Sequence, residues 1–157
     1  MKKTLALLLA LAVVCSLGVS ALAAGSPVKD TPAWYNAGGA AKKTVSPFAF
    51  NGAEAKNVVT VPVEKADTLG AADKEAFLAA YEAAKAITDK VVADFFWVGA
   101  DYAVDADHPL VYSFACKGEN VQVQVNGKDM EVVETADNAY NAKLTEYGAV
   151  AVLCDAE

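Results

Sequence analysis

The clearest structural signal in the chain is the run Val121-Gln122-Val123-Gln124-Val125-Asn126-Gly127-Lys128-Asp129-Met130-Glu131-Val132-Val133. Apolar and polar residues alternate on both sides of Asn126-Gly127, a dipeptide that suits the positive φ angles of a two-residue type I′ turn. The predicted β-hairpin pairs residue 125 with 128, 123 with 130 and 121 with 132. This register gives one core face and one solvent face. The core face carries Val121, Val123, Met130 and Val132, and the solvent face carries Gln122, Gln124, Asp129 and Glu131.

Other segments around this hairpin also predict strands. Residues 58–61 are rich in valine, and Pro62, which has no N–H to donate, indicates a strand at the edge of a sheet. Three further strands are predicted at 95–98, 110–116 and 140–144. The fully apolar run at 149–154 predicts the final strand.

One amphipathic helix is predicted over residues 70–92. Its apolar stripe recurs at spacings of four and three residues, while most charged residues fall on other faces. Thr68 or Asp73 is expected to cap its N-terminus. The residues of the stripe, which we expect to face the sheet, are Phe77, Tyr81, Ala84, Thr88 and Val91.

These elements predict an α+β fold in one domain of residues 57–157, with one amphipathic helix packed on antiparallel strands in a β-sandwich-like arrangement. Residues 24–56 are rich in Ala, Gly, Pro and Ser and predict a flexible leader. Phe48 and Phe50 interrupt this composition and are expected to dock as a short edge segment. Trp34-Tyr35 is expected either to stay loosely packed or to act as a tethered motif for a partner.

Residues 1–23 have the features of a secretory signal peptide. Lys2-Lys3 gives a cationic start, an apolar run follows, and Ala21 and Ala23 stand at the spacing that signal peptidase reads. We therefore expect a bacterial protein that is secreted or held in the cell envelope and makes no membrane contact after signal cleavage. An uncleaved membrane anchor is the alternative.

The charge of the chain argues against one class of partner. All 13 basic residues are lysines, and 20 acidic residues bring the net charge to −7. The chain therefore has no guanidinium group for bidentate capture of phosphate, and its negative charge repels a polyanion. We expect no nucleic-acid partner.

Two cysteines remain once the signal peptide is removed, Cys116 and Cys154. In an exported protein an even cysteine count predicts a disulfide. Their spacing fits neither a zinc knuckle nor a CxxC redox site, and the single His108 cannot complete a Cys/His metal set. A structural disulfide is predicted, with two free buried thiols as the alternative. No cofactor is predicted.

Two aromatic residues are the candidate ligand contacts. Trp97 and Tyr102 would offer ring faces to the apolar face of a sugar, and packing in the core is the alternative for Trp97. Asp101, Asp105 and Asp107 form the closest acidic cluster and are the candidate calcium ligands, although the cluster lacks the glycine and the terminal glutamate of an EF-hand.

A catalytic role would need an imidazole base or a pair of carboxylates. His108 lies in a turn sequence, which indicates a solvent-exposed side chain. The acidic cluster at 101–107 could act only across a cleft, for which a single small sandwich has little room. The sequence has no Gly-x-Ser-x-Gly elbow. No catalytic residue is therefore assigned.

Three motifs carry a resemblance to a known kind of module. They are Asp94-Phe95-Phe96 after the helix, the hairpin at 121–133 and the aliphatic run at 148–153. In these motifs the chain from residue 57 onwards resembles a helix-plus-β-sandwich module of large secreted or surface proteins of Gram-positive gut anaerobes. The resemblance implies an adhesion, spacer or assembly unit. It does not extend to covalent wall anchoring, because no LPxTG-type sorting sequence is present.

Three functions are open, in order of preference. The first is an exported, non-catalytic module of the cell envelope or extracellular space that contacts an unknown protein. The second is a carbohydrate-binding module that holds a cell-surface polysaccharide with Trp97 and Tyr102. The third is a small secreted hydrolase that depends on Asp105 or His108.

The intact mass of the protein tests the export prediction. Protein recovered separately from culture medium and cell envelope is expected to begin at Ala24 or Gly25, because signal peptidase cleaves after the small residues that precede them. A species that keeps residues 1–23, or one lipidated at Cys15, would contradict this prediction.

Overall fold

The computed structural model describes residues 46–156. The predictions for the signal peptide at 1–23, for Trp34-Tyr35 and for most of the leader lie outside the described residues. Three strands come first, a 3₁₀ helix and one α-helix follow, and six strands complete the order. The elements are β1 (Phe48–Phe50), β2 (Ala53–Glu54), β3 (Val59–Pro62), the 3₁₀ helix (Val63–Thr68), α1 (Ala71–Lys85), β4 (Lys90–Gly99), β5 (Leu110–Ala115), β6 (Gln122–Val125), β7 (Lys128–Ala136), β8 (Ala139–Leu144) and β9 (Gly148–Asp155).

The central hairpin has the predicted turn and two of the three predicted pairs, whereas Val132 pairs with Ala142 of β8 and not with Val121. Asn126 and Gly127 have φ angles of 52° and 79°, as a type I′ turn requires. Val123 pairs with Met130 and Val125 with Lys128. On the solvent face the Gln124 amide donates to the Asp129 carboxylate at 2.9 Å. The prediction of two unlike faces is therefore confirmed.

The helix is shorter than the predicted range of 70–92. α1 ends at Lys85, and residues 90–92 already belong to β4, so Thr88 and Val91 of the predicted stripe are not helical. The physical reason is the run of β-branched residues after Ala86, interrupted by Asp89 at a φ of 64°.

Neither predicted residue caps this helix. The N-cap is Gly70, with no side-chain hydrogen bond, and the Thr68 hydroxyl donates instead to the Lys65 carbonyl at 2.8 Å. The 3₁₀ helix before α1 keeps Thr68 out of the N-cap position. Among residues 46–156 no helix has the length and apolar content that crossing a bilayer requires.

The sheet is antiparallel and continuous, in the order β2-β1-β5-β8-β7-β6-β9-β4-β3. The α+β prediction is confirmed, and β3 lies at the sheet edge as Pro62 indicated. The strands form one curled sheet in place of two separate sheets, because β7 pairs with both β6 and β8 and so connects the two halves.

This sheet curls until its two ends meet. Phe48 lies in β1 and Phe96 in β4, which are separated by five other strands in the sheet order, yet their ring centroids are only 6.2 Å apart. Tyr112 of β5 lies 5.1 Å from the same Phe96 ring. The curl gives the sheet an enclosed inner face and an outer face.

Two apolar cores lie on these two faces. The interior core fills the curl and includes Phe96, Leu110 and Val152. The helix-side core lies on the outer face, where α1 covers β4 and β9 and buries Phe77 against Phe95. Both faces of β9 are therefore buried, which is why its sequence is apolar without alternation.

The strands begin earlier than the predicted domain boundary at residue 57. β1 and β2 lie within the segment predicted as a flexible leader, and the side chain of Phe48 is only 4% exposed. Phe48 and Phe50 thus dock in a short strand near one end of the sheet, as the aromatic residues indicated. Their burial against the interior core is what holds this segment in place.

Substitution of Phe77 tests the helix-side core. Phe77 is fully buried, stacks on Phe95 at 5.2 Å and meets Trp97 edge to face at 5.9 Å. We expect Phe77→Ala to lower the free energy of unfolding by about 3–5 kcal/mol, because a large cavity replaces the ring. Urea denaturation measures this change.

Glu75→Ala is the matched control, since Glu75 is exposed on the same helix. Its effect should stay within about 0.5 kcal/mol. Equal effects of the two substitutions would show that α1 does not pack on the sheet as described.

Candidate binding cleft

A cleft of about 460 Å³ lies where the two ends of the curled sheet meet. One rim comes from the start of β1, the other from β3 and the residue before it, and the floor from β4 and β5. Its volume falls within the range of small-ligand sites. The lining residues are Ser46, Pro47, Phe48, Val58, Thr60, Pro62, Asp94, Phe96 and Tyr112.

The floor of the cleft is aromatic. Tyr112 stacks on Phe48 with centroids 5.1 Å apart and meets Phe96 edge to face at the same distance. Further along β5, Phe114 stacks on Tyr112 at 5.0 Å and on Tyr140 at 5.6 Å. The rings hold one another in fixed orientations, so the floor is rigid.

Among the described residues that line the cleft, Asp94 is the one with a charged side chain. It follows an irregularity in the pairing of β4 with β9, where the register shifts between Val92 and Asp94. One carboxylate oxygen accepts a hydrogen bond from the Phe95 N–H at 2.9 Å, and the other accepts from the Tyr112 hydroxyl at 3.2 Å. Asp94 itself remains exposed. The cleft therefore carries a fixed negative charge at its open side.

Burial keeps the Tyr112 phenol neutral. Desolvation, helped by the adjacent Asp94 carboxylate, raises the pKa of Tyr112 far above its ordinary value. The hydroxyl therefore remains a proton donor to Asp94 at physiological pH. This hydrogen bond joins β5 to β4 across the interior, although the two strands are not neighbours in the sheet.

The β3 rim offers main-chain groups as well as side chains. β3 pairs only with β4, so within the described part of the chain its other edge has no strand partner. Val59 on this strand is 60% exposed, although valine is usually buried. An unpaired edge of this kind is a template for a further strand.

Trp97 and Tyr102, the predicted sugar contacts, do not come together. Trp97 belongs to the helix-side core and contacts Phe77, whereas Tyr102 stacks on Phe50 at 4.5 Å. The Tyr102 carbonyl accepts a hydrogen bond from the Tyr147 hydroxyl at 2.7 Å. The two rings therefore pack against different partners and form no joint stacking platform.

The predicted calcium ligands are also separated. Asp105 accepts hydrogen bonds from the N–H groups of Asp107 at 2.9 Å and His108 at 2.7 Å, which lower the pKa of its carboxyl group. Asp101 is bound elsewhere, by the Asn57 amide at 3.0 Å. No group of three potential ligands able to hold a metal ion occurs between residues 46 and 156. The Asp105 carboxylate instead caps its own turn.

His108 is exposed, as its turn sequence indicated. Its Nδ1 atom lies 3.4 Å from the Asp105 carboxylate, on the same turn. Neither residue lines the cleft. The structure thus does not place the histidine where the cleft would hold a substrate.

Cys116 and Cys154 are both free and buried in the structure. Cys154 lies on β9, and Cys116 follows the last residue of β5. Burial raises the pKa of the Cys154 thiol, and the Cys116 thiol beside it raises that pKa further. The structure therefore brings the two predicted partners together without a bond between them.

Sequence reasoning missed the cleft residues because they come from four separate segments. Asp94 was noted only as part of a resemblance, Phe96 as part of that resemblance and of a predicted strand, and Tyr112 only as part of a strand. The alternation in β5 does place Tyr112 and Phe114 on one face. No local pattern, however, shows that this face meets Phe96 of β4 across the interior.

Comparison of the chain with protein families, with curated proteins and with solved structures finds no match in any of the three. The function must therefore be inferred from the geometry of the molecule.

Removal of the Tyr112 hydroxyl tests the floor of the cleft. We expect Tyr112→Phe to lower the free energy of unfolding by about 1 kcal/mol near neutral pH, because the hydrogen bond to Asp94 is lost and the ring stays. The variant should also change how the free energy of unfolding depends on pH in the alkaline range. The raised pKa of Tyr112 means that the unfolded chain releases this proton first, so wild-type stability falls as pH rises above about 10.

Urea denaturation between about pH 8 and 11 measures this slope. Tyr112→Phe should have the shallower slope. Asp94→Asn should keep most of the wild-type slope, since burial is the largest cause of the shift. Identical slopes for wild type and Tyr112→Phe would mean that the hydroxyl is not buried.

Proposed function

We propose that the chain is an exported, non-catalytic module of the bacterial cell envelope or extracellular space, which binds an extended segment of another protein in the cleft. The observation that supports this proposal is the edge of β3 beside an apolar cleft, an edge with which no strand of residues 46–156 pairs. Sheets with such an edge bind peptides by adding a strand. The main chain then supplies affinity, and side-chain pockets supply specificity.

The position of the edge suits strand addition. The cleft lies between β3 and the residues that lead into β1, so an added strand would occupy the gap between the two ends of the sheet. Every second side chain of such a strand would point towards Phe96 and Tyr112. These floor residues are already fixed by their contacts with Phe48, which reduces the entropic cost of binding.

The charge of the cleft defines the chemistry of the segment. Asp94 is exposed, and none of the described residues that line the cleft carries a positive charge. A segment that alternates apolar with basic residues would place its apolar side chains on the floor and a lysine or arginine beside Asp94. An acidic segment would be repelled.

The carbohydrate alternative has less support from the geometry. A sugar needs an open ring face on which to stack. Phe48, Phe96 and Tyr112 are 4%, 8% and 6% exposed, because they cover one another's faces. The floor is therefore better suited to receiving small apolar side chains than to stacking a sugar ring.

Two matched threonine substitutions test the proposal. Thr60 lines the cleft on β3, and Thr88 is exposed between α1 and β4. A display library of random peptides of about twelve residues would be selected against the wild-type chain. We expect enrichment of alternating apolar and basic peptides. Thr60→Lys should weaken their binding at least tenfold, since an edge lysine blocks strand pairing and repels a basic peptide.

Thr88→Lys carries the same added charge and should bind the selected peptides as the wild type does. Amide resonances of β3 should shift on peptide binding. Selection of no peptide, or peptides that bind equally to the two lysine variants, would refute the proposed site. Lysines introduced at exposed positions should leave the fold intact, which a thermal melt checks.

A further inference from the structure

The two buried thiols lie at one end of the curled sheet and face its interior. In β9 the inward residues are Val150 and Val152, so alternation turns Cys154 inward. In β5 the inward residues are Leu110 and Tyr112, and the same alternation turns Cys116 inward. The Cys116 N–H donates to the Asn138 carbonyl at 2.9 Å, which extends the pairing of β5 as far as the cysteine.

The loop after β5 is tied down against β9. The Asp155 N–H donates to the Glu119 carbonyl at 2.9 Å, and the Asn120 amide binds the Asp155 carboxylate. Lys90 binds both the loop and β9, because its ammonium group donates to the Asn120 carbonyl at 3.0 Å and pairs with the Asp155 carboxylate. These contacts hold the loop that follows Cys116 against β9, the strand that carries Cys154.

Gly118 shows how closely this loop approaches the thiol. A Cβ atom at this position would lie 2.3 Å from the Cys154 sulfur, so only glycine permits the observed path. The cysteine side chain is thus enclosed by β5 on one side and by the loop on the other. Both thiols are less than a tenth exposed.

We propose that Cys116 and Cys154 are a disulfide site that closes the curled sheet by joining β5 to β9. The oxidant is a disulfide, either that of a dithiol oxidoreductase or a low-molecular-weight one. A thiolate from one cysteine attacks the oxidant disulfide and releases one thiol. The second cysteine then attacks the mixed disulfide and releases the other, so that two protein thiols become one disulfide and one oxidant disulfide becomes two thiols.

This bond must form before the interior is sealed. Thiolate is the attacking species, and burial disfavours it in the folded protein, where the pKa of Cys154 is raised. The oxidant would therefore act on the chain while it folds. Once formed, the disulfide would be shielded from reductants by the same burial.

The proposed bond would link strands that no hydrogen-bonded ladder joins directly. Three strands separate β5 from β9 in the sheet order. The Tyr112–Asp94 hydrogen bond crosses the interior in the same direction, from β5 to the strand beside β9. The disulfide would thus hold the curl at its end independently of any partner in the cleft.

The test uses the exported protein, unfolded in urea with dithiothreitol and refolded in a mixture of oxidised and reduced glutathione. It is then denatured, alkylated with iodoacetamide without reductant, and digested. We expect a linked peptide pair containing both cysteines and an intact mass about 2 Da below that of the dithiol. The oxidised protein should melt roughly 10 °C above the reduced one.

Cys116→Ala/Cys154→Ala is the control, and its melting temperature should not respond to the redox buffer. The single variants Cys116→Ala and Cys154→Ala should form no linked peptide. Alkylation of both cysteines after refolding, or glutathione adducts in place of the linked pair, would overturn the proposal. A linked pair that leaves the melting temperature unchanged would overturn the closing role of the bond.

Discussion

The contact between the two ends of the sheet is the constraint on which the rest of the structure depends. Phe48 and Tyr112, which face each other on the paired strands β1 and β5, contact Phe96 of β4, and this cluster draws a nine-stranded sheet into a curl. Each aromatic pair contributes about 0.5–1.5 kcal/mol beyond the burial of its area. Without the curl the inner face would be open to water along its whole width. The cleft exists because this closure stops short of a hydrogen-bonded ladder.

Local patterns of the sequence were enough to predict much of the secondary structure. Asn126-Gly127 and the alternating valines determine the hairpin through two short-range effects, turn conformation and side-chain alternation. Pro62 likewise identifies an edge strand from a property of one residue. The helix end was misplaced because the spacing of apolar residues continues past Lys85, while the β-branched residues there favour a strand. Tertiary pairing with β9 then decides between the two.

The curl and the cleft could not be read from the same patterns. An alternating strand predicts that one face is buried but not what covers it. Phe48 and Phe96 are distant in sequence and in strand order, so their contact is a property of the closed sheet alone. The predicted sugar contacts failed for the same reason, because Trp97 packs in the helix-side core while Tyr102, five residues later, stacks on Phe50. For Cys116 and Cys154, by contrast, alternation within the strands does indicate a common interior face.

The position of β9 has a consequence for how the chain reaches its native state. Among the described strands β9 is the last in sequence, yet it lies between β6 and β4 and is the one strand that connects β3, β4 and α1 to the rest of the sheet. Until residues 148–155 have been synthesised, these two parts have no ladder between them. Such long-range pairing makes folding slow, because chain entropy is lost before the contacts form. The two parts of the sheet can therefore join only after residues 148–155 have become available for pairing with both β6 and β4.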